Sequence, residues 1–268
     1  MRILITGITG MVGSHMADYI IEQHPEHDIH GLMRWRSPLD NIAHAMPSLT
    51  LHHGDLRDLN SLVDVLDAAK PDWIYHLAAQ SYVPFSFTAP AETLETNVIG
   101  TTNLLDAMRI TSSDAKVHIC SSSEVYGQVQ KDEVPITENN PFRPASPYAV
   151  SKLGEDMIAS QYFLSYGIRT VRTRMFTHTG PRRGEVFVVS NFAKQIATIE
   201  AGLTPPVVKV GNLSSIRTFL DVRDAVKAYW LLVVKCSPGD VYNIGGTATM
   251  SVEEMLNRLL ELSTVKNI

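Results

Sequence analysis

The chain begins with three glycines placed between an apolar strand and a helical pattern. Residues 1–13 read Met-Arg-Ile-Leu-Ile-Thr-Gly-Ile-Thr-Gly-Met-Val-Gly, and the helical pattern runs from Ser14 to Ile21. Glycines suit this turn because the chain bends sharply, the backbone must approach a pyrophosphate, and the helix N-terminus offers unpaired N–H groups. Glycines alone would indicate only a tight turn, whereas this strand–loop–helix order predicts a dinucleotide site. Its expected contacts are Gly7, Thr9, Gly10, Met11, Val12 and Gly13.

The second predicted strand ends in arginines where an NAD enzyme would have an acid. That acid normally binds the adenosine ribose about twenty residues after the glycine loop. Here residues 28–33 run directly into Arg34-Trp35-Arg36-Ser37. Two guanidinium groups suit the 2′-phosphate of NADP, so we predict NADP as cofactor, bound by Arg34, Arg36 and Ser37. A solvated basic loop is the alternative.

Composition excludes several classes of protein. The 268 residues, 44% of them hydrophobic, can bury a large core, and a net charge of −5 argues against nucleic acid or an anionic membrane as partner. Without a signal peptide or an apolar run that could span a bilayer, we expect a cytoplasmic protein. Cys120 and Cys236 are predicted to be buried reduced thiols. The histidines show no zinc spacing, so no metal is expected.

Strands alternate with helices through the first two thirds of the chain, which predicts parallel βαβ units and a doubly wound α/β (Rossmann) sheet. We expect an NADP-binding domain with the catalytic residues over 1–180. A smaller substrate-binding region is expected over 181–268, interleaved with the sheet and incomplete at its C-terminus. The predicted strands are Ile3–Thr6, Ile29–Met33, Thr50–His53, Trp73–Leu77, Val117–Ser121 and Arg169–Arg174, and the helices are Asn60–Ala69, Ala91–Met108 and Tyr148–Ser165.

The pattern is looser after Pro181. Asp221 and Ser251 are predicted to cap helices that end at Val234 and Leu262. The proline-rich stretches 135–147 and 205–206 are predicted loops that could border a site. The remaining predicted elements are a helix over Glu185–Ala201 and strands over Val207–Val210 and Val241–Ile244.

Candidate catalytic groups lie at the end of the fifth predicted strand and on the helix predicted over Tyr148–Ser165. Tyr148 and Lys152 share one helical face, and Lys152 would lower the pKa of the Tyr148 phenol towards neutrality so that it could exchange a proton with substrate. A tyrosine and a lysine at this spacing also occur by chance. Ser122 at the end of the fifth strand could hold the reacting oxygen. Glu124 is an acid/base candidate whose alternative role is to cap the following turn.

With these residues the chain resembles the extended short-chain dehydrogenase/reductase family over its whole length. Within it, the chain is most similar to the GDP-mannose 4,6-dehydratases and the GDP-4-keto-6-deoxymannose reductases. The motifs that carry the resemblance are the glycine loop, Asp55-Leu56, Leu77-Ala78-Ala79-Gln80, Ser121–Glu124, Tyr148/Lys152, Arg34–Ser37, Phe176–His178, Pro181–Glu185 with Phe187-Val188, and Gly211–Leu213 with Arg217.

The resemblance implies further contacts for both ligands. Arg217 would bind the substrate pyrophosphate, and Ser81, Thr177 and Asn191 would also contact the nucleotide-sugar, expected to be of the GDP-mannose type. Two of these depart from the dehydratases, which usually carry Asn at 177 and Lys at 191; residues 191–196 and 208–211 are more similar to the reductases. The further NADP contacts implied are Asp55 and Leu56 at the adenine, and Leu77, Ala78, Ala79, Gln80, Tyr148, Lys152, His178 and Arg183.

The resemblance implies three possible functions. In a dehydratase converting GDP-mannose to GDP-4-keto-6-deoxymannose, Tyr148 would take the C4 hydroxyl proton and Glu124 the C5 proton before water leaves from C6. In a reductase, Tyr148 would protonate O4 and Glu124 would be idle. Glu124 and the Pro-Arg-Arg-Gly-Glu run favour the dehydratase. A non-enzymatic NADP-binding protein would predict a broken catalytic set, yet all four residues are present.

Two long helices also predict self-association. Residues 91–108 and 148–165 carry more apolar side chains than one sheet face should require. Corresponding helices pair across a twofold axis in the family, so we expect a homodimer or tetramer that buries Leu94, Val98 or Met157.

Overall fold

The computed structural model describes residues 1–268 and has a seven-stranded parallel sheet at its centre. The strands of this sheet are β1 (Arg2–Thr6), β2 (Asp28–Met33), β3 (Leu49–His53), β4 (Trp73–His76), β5 (Lys116–Ser122), β6 (Thr170–Met175) and β10 (Val241–Ile244). The short strands outside it are β7 (His178–Thr179), β8 (Ile216–Thr218), β9 (Leu220–Asp221) and β11 (Thr249–Ser251).

Nine α-helices surround these strands. They are α1 (Met11–Gln23), α2 (Leu59–Ala69), α3 (Val83–Thr88), α4 (Pro90–Leu94), α5 (Gly100–Ile110), α6 (Pro147–Tyr166), α7 (Val188–Glu200), α8 (Val222–Lys235) and α9 (Val252–Leu262).

The strand order is β10-β6-β5-β4-β1-β2-β3, so the predicted doubly wound fold is confirmed. All neighbouring strands in this sheet run parallel. Because the chain leaves β1 in one direction to reach β2 and returns to its other side with β4, the carboxyl ends of β1 and β4 flank a crevice. Open sheets bind ligands at such a switch point.

Alternate residues of the central strands face two separate cores. Ile3 and Ile5 of β1 pack with α1 and α8, whereas Leu4 packs with α2, α5 and α6 on the opposite face. This period of two, with apolar side chains on both sides, is what a sheet covered by helices requires.

Charged side chains are also buried where β6 meets α6. Asp156, which is fully buried, accepts from Arg172 Nη1 and Arg174 Nε at 2.7 Å each. Arg174 also donates to the Tyr126 hydroxyl, which in turn donates to Asn243 on β10. The network joins the last strand of the sheet to its neighbours, and losing one partner would leave a buried charge uncompensated.

Three predicted elements differ in the structure. Val207–Val210 is not a strand, since it pairs with no other strand and Val207 is 65% exposed. The helix expected from Glu185 begins at Val188, after the loop bond from Phe187 N–H to Gly184 O. The long helix over 91–108 is divided by a π-helical turn at Glu95–Ile99.

The C-terminal third of the chain adds a strand to the main sheet and also forms a second, small core. β10 extends the main sheet, while α7 and α9 form a small core of their own with Phe192, Ile196 and Met255 at its centre. Asp221 and Ser251 cap α8 and α9 as predicted. The division of the chain at residue 180 stays a prediction.

Other expectations concern the thiols and the membrane. Both cysteines are free, as predicted, but each is only partly buried. None of the helices combines the length and apolar character needed to cross a bilayer.

Two core histidines should make the protein sensitive to acid. Burial lowers the pKa of His76 and of His118 from 6.5 to about 3, with Lys152 adding to the effect at both. The unfolded chain therefore takes up protons first, so the stabilisation is complete above pH 6.5 and decreases as the pH falls towards 3. Each histidine should contribute a slope of about 1.4 kcal/mol per pH unit at most.

Chemical denaturation between pH 7 and 4 tests this expectation. Replacing His118 by Gln should flatten the pH dependence of the unfolding free energy, whereas the same change at the exposed His53 should not. An identical slope in His118→Gln and wild type would contradict it.

Candidate active site

A cleft of about 840 Å³ opens at the carboxyl ends of the central strands. It lies at the switch point between β1 and β4, and it brings together most of the residues that the sequence singled out. The predicted residues that line it are Gly7, Thr9, Gly10, Met11, Val12, Gly13, Arg34, Ser37, Asp55, Leu56, Leu77, Ala78, Ala79, Gln80, Ser81, Ser122, Glu124, Tyr148, Lys152, Thr177, His178 and Arg183.

The glycine loop has no space for side chains at two positions. Gly7 has φ of +72°, and a Cβ there would lie 2.8 Å from the backbone nitrogen of Ala78. A Cβ on Gly13 would lie 2.2 Å from the Gly7 carbonyl oxygen. No side chain caps the first turn of α1, which starts at Met11 in the cleft. A narrow backbone cradle with an uncapped helix N-terminus fits a dinucleotide pyrophosphate.

The polar edge of the cleft at β4 is held by a buried hydrogen-bond network. Thr6 Oγ1 accepts from the backbone nitrogens of Leu77 and Ala78 at 3.2 Å each and bonds to His76 Nδ1. His76 Nε2 contacts Thr101 Oγ1 at 3.0 Å. These bonds fix the chain that follows β4 against the glycine loop.

The basic end of the cleft follows β2. Arg34 lines the cleft, and its backbone nitrogen donates to Ser37 Oγ at 3.1 Å. Arg36 does not reach the cleft, since its guanidinium stacks on Trp35 with 4.2 Å to the ring centroid. The expected pair of cleft arginines is therefore reduced to Arg34.

Asp55 lies beside this basic end with its carboxylate already paired. Arg57 donates to both Asp55 oxygens, from Nε at 3.1 Å and Nη2 at 2.9 Å. Hydrogen bonding from Arg57 lowers the pKa of Asp55, and the charge of Arg34 adds to this. Arg57 was not predicted, although it follows Asp55 by only two residues.

Tyr148 and Lys152 face the cleft from α6, but their electrostatics differ from the expectation. Burial raises the pKa of Tyr148 above 10, and the opposing charge of Lys152 does not overcome it. The Lys152 ammonium donates to the Cys120 carbonyl and to Glu155 Oε2, both at 2.9 Å. The predicted lowering of the Tyr148 pKa towards neutrality is therefore not found in this arrangement, because burial outweighs the charge of Lys152 and the charge of Glu155 adds to the rise.

Glu124 and Ser122 have different tasks in the turn after β5. The Ser122 hydroxyl accepts from the Glu124 backbone nitrogen at 3.2 Å, so Ser122, and not Glu124, caps the turn. The Glu124 side chain is exposed on the wall of the cleft and forms no hydrogen bond within the protein. A carboxylate free of protein partners at this position is available to move a proton.

His178 and Arg183 line another part of the cleft. Burial lowers the pKa of His178 to about 4, and Arg183 adds to the shift, so its ring is neutral at pH 7. Arg183 donates to the His178 carbonyl at 2.9 Å and stacks on Phe187 at 4.0 Å. Burial lowers the pKa of this arginine, which leaves a partly desolvated cation beside Tyr148.

The structure divides the predicted substrate residues into two groups. Ser81 and Thr177 line the cleft, whereas Asn191 and Arg217 do not. Asn191 lies on α7 in a separate cavity and bonds to Gln195 at 2.7 Å. Arg217 lies on β8 and donates to the carbonyl of Ile216.

Several residues of the site were missed by the sequence analysis. Asn41 donates to the Thr9 carbonyl at 2.9 Å and so holds the glycine loop. Asn97 bonds to both the nitrogen and the carbonyl of Gln80 and to Ser151 on α6. Neither asparagine follows a recognisable motif, because each acts through a contact between distant segments.

Comparison with known proteins agrees with this geometry. A family model described as GDP-mannose 4,6 dehydratase matches residues 4–267. This chain belongs to the GDP-mannose 4,6-dehydratase family. The predicted membership of the extended short-chain dehydrogenase/reductase group is thereby confirmed.

Relatives of two activities are similar to this family member. A GDP-mannose 4,6-dehydratase from Yersinia enterocolitica is 38% identical over 89% of the chain, which spans 66% of that relative's length. A GDP-6-deoxy-D-mannose reductase from Pseudomonas aeruginosa is 34% identical over 99% of the chain and 81% of the relative.

A solved structure is also similar, that of RMD from Pseudomonas aeruginosa complexed with NADPH. It has a TM-score of 0.86 and 33% identity, covering 99% of this chain and 83% of that one. Among the similar solved structures are complexes with NADPH and with NAD, which supports a nicotinamide cofactor.

Proposed function

We propose that this protein is a GDP-mannose 4,6-dehydratase that forms GDP-4-keto-6-deoxymannose. The observation that carries the proposal is the unpartnered Glu124 carboxylate on the same cleft as Tyr148. A dehydratase needs a second acid/base group in addition to the tyrosine, because it removes a carbon-bound proton at C5, whereas a reductase does not. Family membership supports the same substrate class.

The residues of the cleft divide the proton transfers between them. Tyr148 takes the C4 hydroxyl proton while Ser122 holds O4. Glu124 then removes the proton at C5, which the new ketone has acidified, and returns a proton to the departing C6 oxygen. The bound nicotinamide cofactor would supply the reversible redox chemistry at C4 and C6. Ser81 and Thr177 are proposed to contact the sugar nucleotide, since both line the cleft.

Replacing Glu124 by Gln separates elimination from oxidation. The variant keeps the shape of the side chain but loses the base, so turnover of GDP-mannose should fall by about 10²–10⁴-fold. Mass spectrometry in deuterated water should show deuterium at C5 with wild type and none with the variant. Tyr148→Phe should abolish the first step as well.

The same assay distinguishes the alternative activities. Full turnover by Glu124→Gln, or absence of C5 deuterium with active wild type, would contradict the dehydratase. Consumption of NADPH with a 4-keto-6-deoxy sugar nucleotide would instead identify a reductase, the activity for which the similar Pseudomonas protein is named. Cofactor binding without any turnover would favour the non-enzymatic alternative.

We further propose NADP as the cofactor, supported by Arg34 on the cleft and by the lack of an acid at the end of β2. Asp55 does not replace the missing acid, because Arg57 occupies both of its carboxylate oxygens. A free guanidinium at the adenosine end suits a 2′-phosphate.

Calorimetric titration should show NADP binding tighter than NAD by about 1.5–3 kcal/mol. Arg34→Ala should remove most of this preference, because it removes the only arginine of the loop that lines the cleft. Arg36→Ala should leave it largely intact, since Arg36 stacks on Trp35. Equal affinities for the two dinucleotides in wild type would contradict the proposal.

We propose a homodimer that pairs through α6 and the neighbouring α4. Val150, Met157 and Leu164 recur at seven-residue spacing on α6 and are 45%, 40% and 77% exposed. Leu94 on α4 is also exposed, whereas Val98 packs against Gly154 within the chain. The second copy would therefore cover Leu94 and Met157 but only part of Val98.

Light scattering at micromolar concentration should give the mass of a dimer or tetramer. The double change Val150→Glu/Met157→Glu should yield monomers, because it would bring like charges together across a twofold contact. Leu262→Glu on α9, at a site that is 81% exposed, should leave the assembly unchanged. A monomeric wild type would contradict the proposal.

Finally, we propose that the protein acts in the cytoplasm. Two free cysteines are compatible with a reducing compartment.

A further inference from the structure

A buried carboxylate lies beside the lysine of the active site. Glu155 Oε2 accepts from Lys152 Nζ at 2.9 Å, and their side chains are only 1% and 7% exposed. Lys152 uses a second proton on the Cys120 carbonyl, also at 2.9 Å. The ammonium is therefore held by acceptors on α6 and β5, while Lys152 lines the cleft.

The Glu155 carboxylate lacks part of the hydrogen bonding that a purely structural buried ion pair would have. Its second oxygen, Oε1, is buried and has no hydrogen-bond partner. The adjacent carboxylate, Asp156, is satisfied by two arginines. Leaving an acceptor unpaired in the interior is costly, so packing alone does not account for Glu155.

The charge of Glu155 reaches the reacting phenol. Burial raises the pKa of Tyr148, Lys152 lowers it, and Glu155 raises it again. Burial likewise raises the pKa of Glu155 to about 7, against the charge of Lys152. Burial lowers the pKa of Lys152, but Glu155 and Tyr148 raise it further, so it remains a cation. The other titratable or charged groups around this pair are Asp156 on α6, Cys120 and His118 on β5, His76 on β4, Tyr229 on α8 and Arg183 at the cleft.

We propose that Glu155 is a positioning residue for proton transfer at Tyr148, because its carboxylate orients the Lys152 ammonium and cancels part of the positive charge that the phenol meets. The proposal deepens the proposed function, since it concerns the same tyrosine. The phenol is thus influenced by two opposite charges, the Lys152 ammonium and the Glu155 carboxylate. Both are buried, and buried charges interact more strongly than charges in water.

The expected effect has a definite sign. Burial raises the pKa of Tyr148, whereas the pKa of Glu155 is about 7, so the carboxylate is ionised when the phenol titrates and opposes formation of the phenolate. Glu155→Gln keeps a hydrogen-bond acceptor for Lys152 but removes the negative charge. The phenolate still favours the charged form of Lys152, and the ammonium is no longer opposed by a carboxylate, so the pKa of Tyr148 should fall by about one unit or more.

Spectrophotometric titration measures this without substrate or cofactor. The chain has nine tyrosines, and the difference between each protein and its Tyr148→Phe counterpart isolates the phenol of interest. The midpoint in the Glu155→Gln background should lie below that of wild type. An unchanged or higher midpoint would overturn the proposal.

Two further variants keep the test decisive. Asp156→Asn removes the neighbouring buried carboxylate, and it should lower thermal stability while leaving the Tyr148 midpoint within a few tenths of a unit. If Glu155→Gln does not fold, Glu155→Asp serves instead. The shorter side chain moves the carboxylate away from Lys152 by one methylene, so the Tyr148 midpoint should also fall, but by less. A shift in Asp156→Asn equal to that in Glu155→Gln would show a general charge effect and overturn the assignment to Glu155.

Activity gives a second readout. The limb of the kcat/KM profile for GDP-mannose that is absent from Tyr148→Phe, and so reports ionisation of Tyr148, should move to lower pH by a similar amount in Glu155→Gln, with KM changed less than about twofold. Wild type that is inactive on GDP-mannose would contradict the proposed function, while the titration would still decide the role of Glu155. Active wild type with an unmoved pH limb in the variant would contradict the role of Glu155 alone.

Discussion

The site depends on one constraint of a parallel sheet, namely that all strands end at the same edge. Backbone groups that leave the sheet there need new partners. The network that runs from Thr6 through His76 to Thr101 supplies them and fixes the chain after β4 against the glycine loop. Hydrogen bonds between β1, the segment after β4 and α5 therefore hold together the strand ends that form the cleft.

Opposite charges are also paired in the interior of the protein, on either side of α6. Asp156 faces two arginines on one side of α6, and Glu155 faces Lys152 on the other. Neighbouring acids thus lie in different environments, Asp156 between arginines of β6 and Glu155 beside a lysine that lines the cleft. Because both are shielded from water, each charge changes the proton affinity of its surroundings more than a surface pair would.

The nucleotide end of the cleft combines local and distant contributions. A side chain at Gly7 would collide with Ala78, and one at Gly13 would collide with the loop itself. The glycine motif in the sequence already predicts both glycines. The division of labour between Arg34 and Arg36 is not visible there. Stacking on Trp35 removes Arg36 from the cleft, and only side-chain packing decides which of two similar residues faces the ligand.

The amino-acid sequence by itself determined the doubly wound fold, the glycine cradle, the helix caps at Asp221 and Ser251, and the presence of Ser122, Glu124, Tyr148 and Lys152 on one cleft. These features depend on periodicity, on backbone freedom or on short spacings, all of which are local properties of the chain. The tertiary structure decided that Asn191 and Arg217 lie outside the cleft, that Asn41 and Asn97 hold it together, and that residues 207–210 have no strand to pair with. It also decided the proton affinity of Tyr148. Spacing along α6 indicates that Lys152 is near the phenol, but burial and the carboxylate of Glu155 set the balance of charge, and burial depends on what packs around the helix.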